Sequence, residues 1–172
     1  MGLAPAAHGG NRTGRIFTGD ASGDFLFRAL HAAGLGNQAL SVSRDDGLAL
    51  FGTLVTAAAR CAPPDNRPTP REFETCRPFL EREMRALPGL RVIVALGALA
   101  FGETLRALRA AGENVPKPVP RFTHAGEARV GKIALLASYH PSQQNTFTGR
   151  LTPHMLEAVF LRARELAGLS RR

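Results

Sequence analysis

The sequence predicts an α/β protein: a three-layer α/β/α arrangement around a central, mostly parallel four-stranded sheet. "RVIVALG" at 91–97 and "KIALLAS" at 132–138 are near-continuous apolar runs, the pattern of strands buried on both faces. Amphipathic stretches of helical period separate such runs, which is how a parallel sheet covered by helices reads in sequence. The 172 residues, at 44% hydrophobic composition, are enough to build one compact core.

In chain order, "GLAPAAHGGNRTGRIFTGD" (2–20) reads as a loop dense in Gly, Ala and small polar residues. "SGDFLFRALHAAG" (22–34) follows as a helix with Phe25, Leu26, Ala29 and Leu30 on one face, Ser22 as N-cap and Gly34 past its end. "LFGTLVTAA" (50–58) is strand-like. "TPREFETCRPFLEREMRALPG" (69–89) opens a helix with Thr69 as cap and Pro70 in the first position, and Pro78 inside it predicts a break or kink. The strand at 91–97 leads into a helix, "ALAFGETLRALRAAG" (98–112), closed by Gly112, and then into a proline-rich connector over 114–121. After the strand at 132–138 comes the loop "SYHPSQQNTFTGRLTP" (138–153), then a terminal helix, "TPHMLEAVFLRARELAGL", capped by Thr152 with Pro153 behind it. There are no repeats, no low-complexity tract and no internal linker, so residues 1–172 read as a single domain. The opening loop lacks the strand that ought to precede it, which reads as a truncated start.

Composition narrows the function classes. The net charge is +8 and the sequence pI about 11.1, with only Lys117 and Lys132 among the lysines; an arginine-rich surface favours polyanions, whose phosphate oxygens match the guanidinium fork. No stretch approaches the roughly 20 apolar residues of a membrane span. No export signal is visible, which points to the cytoplasm. Neither a P-loop nor a dinucleotide fingerprint is present. In open α/β sheets the ligand site lies beyond the carboxyl ends of the strands, where "RCAPPDNRPTP", "GALAF" and the 138–153 loop all fall.

"GLAPAAHGGNRTGRIFTGDASGDFL", "TAAARCAPPDNRPTP", "TCRPFLERE" and "SYHPSQQNTFTGRLTP" resemble the signature segments of the family 5 uracil-DNA glycosylases, the iron–sulfur type B branch of that superfamily. The resemblance spans nearly the whole chain. It implies hydrolysis of the N-glycosidic bond of uracil, and of other deaminated bases, in double-stranded DNA by a monomer that flips the base out and leaves an abasic site. Such chemistry needs a donor on the base oxygen, an amide reading the base edge, a stacking ring and a group to place water.

By resemblance His140 is the donor; the alternative is a histidine that caps a strand. Asn66 would read the base edge, though it also fits a turn between prolines. Phe17 would stack on the base or simply belong to the core. Asp20 would orient the water or offset the cationic sugar, unless it only binds amides at a helix start, and His8 and Asn11 are alternative water-positioning groups. The opening backbone at Gly2 and Ala4 would approach the substrate closely. Gln143, Gln144 or Phe147 would fill the gap left in the duplex, while Arg12, Arg15, Ser142, Asn145 and Arg150 would meet the DNA backbone. A loop packed on itself through Phe147 is the alternative. Cys61 and Cys76 resemble two of the four thiolates of a [4Fe–4S] cluster whose other pair lies in an N-terminal cysteine segment absent from this sequence, so the chain alone is expected not to assemble it. For the same reason the chain is expected to show weak or no activity by itself. The rival readings are a non-catalytic basic DNA-binding module and a redox or small-molecule domain using the two cysteines.

Overall fold

The computed structural model describes residues 1–170. Its helices are α1 (Gly10–Thr13), α2 (Ala21–Ala32), α3 (Pro70–Arg85), α4 (Ala98–Ala110), α5 (Gln143–Phe147) and α6 (Pro153–Ala167). The strands are β1 (Val92–Leu96), β2 (Glu127–Val130) and β3 (Ile133–Ser138), in the spatial order β1-β3-β2. β1 runs parallel to β3, with Val92 opposite Ala134 and Leu96 opposite Ser138, while β2 is antiparallel to β3.

Alternation along the strands sorts the core into two layers. Ile93, Ala95, Ile133, Leu135 and Ala137 pack with Phe101, Leu105 and Leu108 of α4. On the opposite face Leu136 meets Val159 and Ala163 of α6, and Leu96 meets α2 through Leu26, Phe27 and Leu30. All six residues of β3 are buried, which is why its sequence reads as one apolar run. The helix caps follow the sequence: Thr69 and Glu72 form a reciprocal capping box on α3, and Thr152 accepts from the Met155 amide to open α6.

Three local expectations are corrected, and one strand is new. α2 is capped by Asp20, whose Oδ1 accepts from Gly23 N at 2.9 Å, rather than by Ser22. α3 continues through Pro78 without a break; Phe73 and Leu80, on either side of the proline, are both buried and hold the two halves to the same core. Residues 50–58 form only isolated bridges, Leu50 to Gly36 and Ala57 to Gly2, and Gly52, at φ +55°, bends the chain between them. β2, unforeseen in the sequence, alternates exposed and covered residues at one side of the sheet.

Among the described residues the regular sheet has three strands, and residues at the start of the chain extend it. The Met1 amino group donates to Val94 O at 2.6 Å and Leu96 N donates to Met1 O at 2.9 Å. Gly2 and Leu3 then pair with Thr56, Ala58 and Ala59. Past Met1 the edge of β1 borders an apolar cavity of about 650 Å³ lined by Leu26, Leu30, Leu80, Met84 and Phe160 among others.

Candidate active site

The site forms where β1 and β3 end. β3 carries the chain to Tyr139 and His140, and Gly97, at φ +97° after β1, donates its N–H to Ser138 O at 2.7 Å. A Cβ on Gly97 would stand 3.3 Å from His140 Cβ, so glycine here serves both the backbone angle and the closeness of the imidazole. Burial pushes the His140 pKa below the ordinary histidine value, and the Asp20 carboxylate pulls it partly back. The imidazole is thus kept neutral at pH 7, with an N–H to donate.

Phe17 faces His140, with ring centroids 5.8 Å apart. It is 6% exposed and holds φ at +57°, which a bulky side chain rarely adopts. Two glycines make this possible. A Cβ on Gly2 would lie 2.5 Å from the Phe17 ring, and one on Gly23 would lie 1.7 Å from the Phe17 carbonyl oxygen. Strain of this kind persists only where the surroundings enforce it, and it concentrates at functional sites. One oxygen of Asp20 caps α2, and the other lies 2.1 Å from where a Cβ on Gly9 would stand. Capping and a role at the site are therefore compatible for Asp20, because each engages a different oxygen.

The remaining expected residues divide. His8, Asn11 and Arg12 are exposed on and before α1, with Arg12 Nε donating to His8 O at 2.9 Å. Arg15 is engaged internally instead of facing outward: it bonds Asp46 at 2.7 Å, Ser41 at 2.9 Å and the Arg44 carbonyl at 2.5 Å. Asp46 also accepts from the amides of Val42, Ser43 and Leu48, and although burial alone would raise its pKa, Arg15 and these amides hold it well below the carboxylate range. Gly2 directs its amide to Thr56 O at 2.7 Å, and Ala4 packs beside Phe73 and Cys76. Asn66 is exposed, at φ +54° directly after Asp65 at +52°.

The loop after His140 is a short helix, α5, that sequence reading took for an irregular loop. Asn145 does not face outward; its Nδ2 donates to His140 O at 2.8 Å, and Leu151, fully buried, anchors the far end. Phe147 is 80% exposed, which overturns the reading in which it packs the loop on itself. Ser142, Gln143 and Gln144 lie on the same outer turn, and Arg150 lays its guanidinium 4.5 Å from the centroid of the Tyr139 ring.

Cys61 is exposed, and Cys76 is half-buried, its sulfur accepting from Arg60 N at 3.4 Å. Buried donors on Arg60 and Arg77, each next to a cysteine in the chain, have no hydrogen-bond partner among the described residues. No group of three or more His, Cys, Asp or Glu side chains converges among the described residues. A [4Fe–4S] cluster takes four ligands, so two thiols fit half of one and not the whole.

Sequence reading passed over Tyr139 and His124, which stack with ring centroids 4.9 Å apart. Tyr139 had a signal in its place beside His140; His124, in "FTHAG", had none.

Residues 1–164 match the sequence profile of the uracil DNA glycosylase superfamily. The chain is 53% identical over 171 residues to the type-5 uracil-DNA glycosylase of Mycobacterium tuberculosis, covering 98% of this chain and 62% of that relative. It is 50% identical to the type-5 enzyme of Thermus thermophilus, covering 75% of it, and 29% identical over 143 residues to a type-4 uracil-DNA glycosylase of Pyrobaculum aerophilum. The chain thus spans somewhat less than two thirds of the mycobacterial relative.

Proposed function

Given that this chain belongs to the uracil DNA glycosylase superfamily, we propose that it removes uracil, and other deaminated bases, from double-stranded DNA by hydrolysing the N-glycosidic bond. The observation that carries this reading is the convergence of an aromatic side chain on a strained backbone, a half-buried imidazole whose pKa is lowered, and a carboxylate that acts on it, near the ends of β1 and β3.

The target nucleotide leaves the stack and its base enters beside Phe17, whose face is the platform. The C1′–N bond breaks with its electron pair passing to the base, and the sugar becomes cation-like. His140, as a neutral donor to the base oxygen, stabilises that anion; a preorganised donor of this kind is worth about 10²–10³ in rate. The free oxygen of Asp20 faces the sugar and takes a proton from the water that adds to C1′, with His8 and Asn11 nearby in sequence as auxiliary groups. Asn66 reads the base edge with a side-chain amide that has no hydrogen-bond partner among the described residues. α5 enters the space the base vacates, led by Phe147, while Arg12, Ser142, Gln143, Gln144 and Arg150 contact the backbone. Arg15 and Asn145 are outside this set, since they hold loops in place.

Cys61 and Cys76 are read as two thiolates of a [4Fe–4S] cluster, with the unpartnered Arg60 and Arg77 donors suited to its sulfur atoms. These residues alone do not complete it, and no step above depends on it. The protein is expected to act as a monomer in the cytoplasm; no helix of the described residues is long and apolar enough to cross a membrane.

The test is a duplex with a single uracil, incubated with the protein and cleaved with alkali at any abasic site. Strand cutting that His140→Ala removes supports the reading. Salt-sensitive binding without cutting, both by this chain and by one extended upstream through a second cysteine pair, would favour a non-catalytic DNA-binding module.

A further inference from the structure

The turn before β2 is tied to the end of β3 by two backbone bonds, Ala125 N to Ala137 O at 2.8 Å and Ala137 N to Gly126 O at 2.9 Å. Ala125 holds φ at +58° there, a strained angle for a residue with a Cβ. The turn presents His124 to Tyr139 in two ways. Nδ1 accepts the Tyr139 N–H at 3.2 Å, and the two rings stack at 4.9 Å with 16° between their planes. Accepting through Nδ1 requires the neutral ring, and burial lowers the His124 pKa accordingly. Phe122 braces Tyr139 from the core side, with centroids 6.1 Å apart.

Tyr139 in turn supports two parts of the site. It is the residue before His140, so its amide sets where the chain leaves β3. Its ring also carries Arg150 at 4.5 Å, and among the described residues Arg150 makes no ion pair or hydrogen bond. An exposed arginine held by one ring, with all its donors free, is prepared for a phosphate.

We propose that His124 is a positioning residue of this site. By accepting the Tyr139 amide hydrogen it fixes the corner that aims His140, and by stacking on the ring it fixes the Arg150 guanidinium that contacts one phosphate of the bound duplex. The inference rests on the function proposed above, and its two arms are measured separately.

Three variants divide the two roles. His124→Phe keeps the ring and loses the acceptor; His124→Asn keeps an acceptor and loses the ring; His124→Ala loses both. The measurements are the single-turnover excision rate on uracil duplex and the salt dependence of duplex affinity, with thermal unfolding to verify folding. His124→Ala is expected to lower the rate between about 10- and 100-fold. It is also expected to reduce the slope of log affinity against log salt by about one contact, as Arg150→Ala does, with no further reduction in the double variant. Phe is expected to restore the salt slope but not the rate, and Asn the rate but not the slope. Unchanged slope and rate in folded His124→Ala, or additive slope losses with Arg150→Ala, would overturn the proposal. If duplex is bound but uracil is not excised, even by the chain extended upstream through a second cysteine pair, the proposed reaction fails while the salt-slope arm still decides the Arg150 half. A wild-type chain that binds no duplex overturns both.

Discussion

Glycine 9 shows how closely single residues are fitted at this site. Its missing Cβ is the space that Asp20 Oδ2 occupies, so Gly9→Ala would push the carboxylate aside while leaving α2 long and buried on the same face. The expected result is a loss of excision rate larger than the loss of thermal stability, measured by single-turnover kinetics beside a melting curve. His140→Ala should lower the excision rate by about 10²–10³ with duplex affinity largely kept, because the donor acts on charge that appears only as the bond breaks. Asp20→Asn supplies a direct electrostatic test. The Asp20 charge raises the His140 pKa against the burial that lowers it, so neutralising it should move the His140 titration midpoint further down in an NMR pH series. A midpoint that stays or rises would mean the two side chains do not sense each other.

At the level of elements, the ends of helices position the chemistry more than their middles. α2 begins on Asp20, so the same side chain starts a helix and acts electrostatically on the His140 imidazole. α6 begins on Thr152 just after Leu151, whose burial fixes where the α5 loop returns. Thr152→Ala and Thr69→Ala should each cost about 1 kcal/mol by chemical denaturation, the usual worth of an N-cap. Leu151→Ala should cost about 2–5 kcal/mol and also slow excision, since it frees the anchored end of the loop that carries Phe147. The caps at Thr69 and Thr152 were legible because hydroxyl, proline and apolar periodicity fall at fixed offsets. α5 was not, because five residues of mixed polarity carry no period. The cap at Asp20 was misassigned to Ser22, two residues on, since both residue types satisfy the same orphan amides.

Across the whole molecule, two histidines with lowered pKa values make stability depend on pH. His124 and His140 both resist protonation when folded, whereas the unfolded chain protonates them below about 6.5. The unfolded state then binds more protons, so stability should fall as pH drops through about 6.5, on top of a decline that begins near pH 8 because burial lowers the Met1 amino group to about 5. Denaturation midpoints at pH 7.5, 6.5 and 5.5 test this, and a midpoint that held or rose toward pH 5.5 would contradict it. Asp46 and Glu83, held below their ordinary values, add a second loss in more acid solution. The charge of +8 acts on the same scale: duplex affinity should fall steeply as salt rises, in proportion to the phosphates contacted.

The α/β class, the strands at 92–96 and 133–138, the helices capped by Thr69 and Thr152, and the family were all legible in the chain of residues, because they rest on local periodicity and on long ordered segments. Folding alone revealed that Arg15 serves Asp46, that Asn145 serves the His140 carbonyl, that Phe147 stands in solvent and that His124 accepts from Tyr139. Each of these depends on which residues far apart in the chain meet when it closes. An arginine reads the same in sequence whether it pairs inside the protein or waits for a phosphate, and only the partner tells them apart.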